Sequence, residues 1–81
     1  MHAANLQTSA RLQRLCSYLA DGAWHTTRDI VFDAHVMAVN AAVSELRANG
    51  LDVECRARNT GGRTVYEYRL LHAGQRELFN D

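Results

Sequence analysis

Apolar side chains recur along this chain with two different periods, and the change of period divides it into helices and a hairpin. Leu12, Leu15, Cys16 and Leu19 are spaced three and four apart, the buried stripe of an amphipathic helix. Thr8 or Ser9 supplies a capping oxygen at its start, and Asp21-Gly22 closes it. A second stripe runs through Thr27, Ile30, Val31 and Ala34, behind the Thr26-x-x-Asp29 pattern of a capping box. Asp33-Ala34-His35 interrupts the rhythm. A third stripe then starts afresh at Val36 and runs through Val39, Val43 and Leu46, with Ala42 alongside, until Asn49-Gly50 supplies a left-handed end. Two helices joined by so short a turn make a helix-turn-helix.

From Leu51 the period becomes two. Leu51, Val53, Cys55 and Ala57 alternate with Asp52, Glu54, Arg56 and Arg58, as in a half-buried strand. Asn59-Thr60-Gly61-Gly62 is a turn, and 64–70 is a second strand with Tyr66, Tyr68 and Leu70 on one face and Val65, Glu67 and Arg69 on the other. Trp24, in the link before the second helix, either anchors the small core or forms a stub of strand beside the hairpin. The expected fold is α+β: a winged helix-turn-helix of three helices with a C-terminal two- or three-stranded antiparallel wing. Its domain spans 8–71, with 1–7 and 72–81 as flexible tails.

An 81-residue chain has room for one small core, and 47% apolar content is too high for disorder and too interrupted for a membrane span. The start, MHAANLQTSAR, has no basic-then-apolar run, so the expected compartment is the cytoplasm, with no membrane partner. Cys16 and Cys55 lie on apolar faces and are expected to be reduced and buried. Nine basic residues balance nine acidic ones, leaving no net field to steer the molecule to nucleic acid. Every basic residue is arginine, however, and four of them fall between Val53 and Arg69 against two glutamates.

The segment from Trp24 to Leu70 resembles the small winged helix-turn-helix proteins common in bacteriophages and prophages. Thr26-Thr27, the Ala-rich stretch from Ala41 to Leu46-Arg47-Ala48-Asn49-Gly50, Gly61-Gly62 and Tyr68-Arg69-Leu70 carry the likeness. The helix and wing are also similar to the DNA-binding domain of the biotin repressor. At the turn, His35 replaces the glycine usual in such proteins. The resemblance implies double-stranded DNA as partner, in regulation, replication or recombination, with the helix from about Met37 to Asn49 in the major groove.

On that docking Asn40 reads a base edge, Ser44 reaches a base or a phosphate, and Arg47 meets the backbone. Arg56, Arg58 and Arg63 flank the wing tip and suit phosphate or a narrow minor groove, and Arg28 donates to a phosphate beside its helix start. Each has a plainer reading: polar residues on a solvated helix, arginines that guard a hairpin edge, and an Arg69–Glu67 surface pair. Arg11 and Arg14 point outward, to solvent or to a phosphate. One copy offers modest area, so a homodimer or a tethered partner is expected to supply affinity.

In the tail, Gln75-Arg76-Glu77-Leu78-Phe79 looks like the pentapeptide that binds the bacterial sliding clamp. Gln75 would fix register while Leu78 and Phe79 fill a pocket. The alternative is that Leu78 and Phe79 fold back on the domain or form a dimer contact. A protein-interaction module, using this tail or the Ala-rich helix, is therefore the rival function. His2, His25, His35 and His72 lack metal-ligand spacing, and no phosphate loop or nucleophile motif is present, so neither a cofactor nor catalysis is expected.

Overall fold

The computed structural model describes residues 5–71. In chain order it contains α1 (Ala10–Tyr18) running into a 3-10 turn (Leu19–Asp21), β1 (His25–Thr26), α2 (Thr27–Ala34), α3 (Val39–Ala48), β2 (Asp52–Thr60) and β3 (Arg63–Leu71). The sheet is antiparallel with strand order β1-β3-β2. The architecture is α+β, three helices beside a three-stranded antiparallel sheet.

Local chemistry sets the helix limits. Ser9 caps α1 by accepting from the Leu12 amide at 3.2 Å, and Thr26 caps α2 by accepting from Asp29 at 3.0 Å. The α2–α3 connection turns twice through left-handed backbone, at His35 (φ 56°) and again at Ala38 (φ 52°). The second reversal was not expected, and it delays α3 to Val39 rather than Met37. These two reversals allow Ala34, Val36 and Val39 all to reach the core, which one continuous helix could not do with that spacing.

Arg11 and Arg14 are not outward-pointing, as the sequence suggested. Arg14 donates through Nε to the Ala34 carbonyl at 3.2 Å and through Nη2 to that of His35 at 3.0 Å. Arg11 donates to the Met37 carbonyl at 3.3 Å and pairs with Glu45 at 2.8 Å. Carbonyls at the end of α2 and in the turn lack helical partners, and these guanidiniums satisfy them. Two arginines of α1 thus staple the α2–α3 connection.

Leu12, Leu15 and Leu19 interlock with Ile30, Val36, Val43 and Leu46, all buried, and Val53, Tyr68 and Leu70 close the core from the sheet. Truncating any of these leucines to alanine costs about 2–5 kcal/mol by the usual cavity penalty. Leu6, which the sequence left in the N-terminal tail, packs against this cluster, and its amide donates to Asn49 Oδ1 at 3.1 Å.

Beyond Val53 the hairpin outruns the helices, so strand alternation no longer means burial. Cys16 is partly buried against the core, but Cys55 is exposed, correcting the expectation of two buried thiols. Tyr66 is likewise 51% exposed. Trp24 is not part of the core: it packs on the outer face of the sheet, one residue before the short β1. The hairpin closes over Gly61 (φ 57°) and Gly62 (φ 80°), whose positive φ values suit a tight two-residue turn between right-twisted strands.

Candidate nucleic-acid interface

The exposed side of α3 carries Asn40, Ala41, Ser44, Arg47 and Ala48, while Val39, Ala42, Val43 and Leu46 face the core. One open cleft lies beside this helix, and a second, which has no α3 residue in its lining, shares Thr27 and Tyr66 with it. One, of about 450 Å³, runs between the start of α3 and the sheet, past Ala38, Asn40, Ala41 and Tyr68. The other, of about 650 Å³, runs between α2 and the hairpin tip, past Arg28, Phe32, Thr60, Arg63 and Thr64. Neither cleft has an acidic side chain in its lining, and the second contains two arginines. Arg28 lies 5.6 Å from the Phe32 ring centroid, and neither Arg28 nor Arg63 has an ion-pair partner among the described residues.

Asn40 is held rather than free. The Tyr68 hydroxyl donates to its Oδ1, which orients the amide at the mouth of the first cleft. Burial, and secondarily the neighbouring Cys55 thiol, raises the Tyr68 pKa, so the hydroxyl keeps its proton for this bond. Ser44 is exposed one turn further along.

Arg47 is engaged elsewhere. Its Nε and Nη2 donate to the Val53 carbonyl at 3.0 and 2.7 Å, so it ties α3 to β2 instead of reaching toward a backbone phosphate.

The hairpin arginines divide by partner. Arg56 pairs with Glu67 at 2.7 Å, and Arg58 lies 3.7 Å from the same carboxylate with 59% of its side chain exposed. Arg69 pairs with Glu54 at 2.7 Å, not with Glu67 as its position along the strand suggested. The register explains this: Glu54 stands opposite Arg69 and Arg56 opposite Glu67 across the β2–β3 ladder. The guanidiniums of Arg56 and Arg69 lie 4.1 and 4.7 Å from the Trp24 ring centroid, cation–π contacts invisible to sequence periodicity. Of the arginines assigned to DNA contact, Arg28, Arg63 and in part Arg58 remain available, while Arg47 and Arg56 are occupied.

Gln75, Leu78 and Phe79 lie outside the described residues. His25 pairs with Asp21 at 2.9 Å and meets the Tyr18 ring at a tilt of 49° with centroids 4.5 Å apart; His35 sits in the turn. No cluster of three potential metal ligands occurs among the described residues, and no helix there is long and apolar enough to cross a membrane. No family model, curated protein or solved structure matches the chain.

Proposed function

We propose that the chain is a winged helix-turn-helix protein that binds double-stranded DNA, with α3 in the major groove and the β2–β3 hairpin as its wing. The observation that carries this reading is the segregation of charge. The cleft between α2 and the hairpin tip presents Arg28 and Arg63, neither it nor the adjoining cleft beside α3 is lined by a carboxylate, and the hairpin glutamates Glu54 and Glu67 are paired on the outer sheet face. Asn40, preset by Tyr68, and Ser44 supply the polar groups that meet base edges. Ala38 and Ala41 keep the helix surface low enough for close approach.

Two or three available arginines give weak, salt-sensitive binding from one copy. Fluorescence anisotropy with a random-sequence duplex at two salt concentrations tests it. Arg28→Ala with Arg63→Ala lowers affinity and flattens the dependence of log K on log salt by about two units, one for each lost phosphate contact. Wild-type and double-variant proteins that bind duplex equally would end the proposal.

A second reading, a protein-interaction module, draws on Phe32 and Met37, exposed at 66% and 68%. It is favoured if Phe32→Ala abolishes capture of a host protein while duplex binding is absent at low salt.

A further inference from the structure

Among the described residues β2 is an edge strand: β3 covers one side of it, and no strand covers the other. The outward-facing groups follow from the hairpin. In a two-residue turn the closing pair, here Thr60 and Arg63, is hydrogen-bonded, so alternate β2 residues back from Thr60 turn toward β3. Those residues are Arg58, Arg56 and Glu54. The amides and carbonyls of Asn59, Ala57, Cys55 and Val53 therefore point to the open side. Arg47 supports this phasing independently, since it reaches the Val53 carbonyl from outside the ladder.

The sequence of this edge is charge-complementary to itself. About Cys55, acids stand at Asp52 and Glu54 and bases at Arg56 and Arg58. We propose that β2 pairs antiparallel with β2 of a second copy, on a two-fold axis through Cys55, making one continuous six-stranded sheet. In that register Glu54 faces Arg56 of the other copy, Asp52 faces Arg58, and the pattern is repeated by symmetry. Centring on Arg56 or Arg58 sets like charges opposite at the axis, and centring on Ala57 sets Arg56 against Arg58 on both sides. Of these registers only the one through Cys55 sets opposite charges against each other, alongside the Glu54–Arg69 and Arg56–Glu67 pairs that each copy already holds.

A second observation fits the same partner. Cys55 and Ala57 continue the inward face begun by Val53, yet both are exposed in the single chain. The second strand covers them, setting Cys55 against Cys55 and Ala57 against Val53. Backbone bonds form between the two Cys55 residues and from each Val53 amide to the Ala57 carbonyl of the other copy. Arg47, already on the Val53 carbonyl, marks the end of the paired segment. This inference is independent of DNA binding and is tested without DNA.

Sedimentation equilibrium from micromolar to millimolar chain concentration reads the outcome, with circular dichroism confirming that each variant folds. Wild type is expected to dimerise, more weakly at high salt. Asp52→Arg alone puts two arginines opposite, and Arg58→Glu alone puts two acids opposite, so each single variant is expected to be monomeric. Mixing the two single variants restores both pairs and is expected to yield a heterodimer. A wild type that stays monomeric throughout, single variants that dimerise as wild type does, or a mixture that fails to associate would each overturn the proposal.

Discussion

Arg47 and Val53 join the α3 helix to the first hairpin strand: a forked guanidinium closes on one carbonyl at 3.0 and 2.7 Å. The carbonyl belongs to an open strand edge, so without the arginine it would be left to solvent. A charge-assisted pair of this kind contributes about 1.5–3 kcal/mol. Arg47→Ala should lower the urea midpoint accordingly. Arg47→Lys should recover only part of the loss, because an ammonium cannot span both positions. Duplex affinity, compared under conditions where both proteins are folded, should change little. A large affinity loss with unchanged stability would show that Arg47 leaves Val53 to meet DNA.

Glu67 restrains two arginines at once. Its side chain is almost wholly covered, with Arg56 at 2.7 Å and Arg58 at 3.7 Å. Neutralising it by Glu67→Gln should lower stability by about 1–3 kcal/mol, the cost of leaving a part-buried charge poorly paired. It should also release cationic charge to phosphate, steepening the salt dependence of duplex binding by about one unit. Stability and affinity are expected to move in opposite directions. Joint loss of both would mean that the arginines serve the hairpin alone.

Ala38 holds a left-handed conformation (φ 52°, ψ 56°) that its β-carbon disfavours by about 1–2 kcal/mol. Ala38→Gly relieves the strain at some expense in unfolded-chain entropy, so a net gain of about 0.5 kcal/mol is expected in thermal or urea unfolding. A net loss would show that the methyl group contributes packing that outweighs the strain.

Tyr18 gives the fold an alkaline limit. Burial and the bond from its hydroxyl to Asp33 at 2.9 Å push its pKa up to about 12. A folded-state pKa above the unfolded value of about 10 means that the contribution is fully present below pH 10 and disappears as pH rises through 12. Melting temperatures between those limits should fall for wild type. They should fall less steeply for Tyr18→Phe, which starts lower but has no phenol to ionise there.

How far the sequence reveals this molecule depends on the range of each interaction. The helix stripes through Leu12, Ile30 and Val43, the caps at Ser9 and Thr26, and the Gly61-Gly62 turn were legible because each is decided by a few neighbouring residues. The left-handed Ala38 was not, since alanine carries no preference for that conformation. It is imposed by the need to bury both Val36 and Val39.

Arginine partners were the least legible feature. Arg11 finds Glu45 and Arg14 finds Ala34 across tens of residues, and no periodicity encodes such pairings. For the proposed site, the exposure of Asn40 and Ser44 followed from the helical stripe, and the place of Arg63 followed from the Gly61-Gly62 turn. Which guanidiniums are already satisfied emerged only from the strand register.

Trp24 is the chain's single indole, and it lies against the hairpin rather than inside the protein. Its emission is therefore an intrinsic optical gauge of whether β2 and β3 remain seated beside β1. Local detachment of that ribbon would be recorded as a spectral shift before the helices melt, with no dye attached. Acrylamide quenching, followed during denaturation alongside helical ellipticity, would separate the two events.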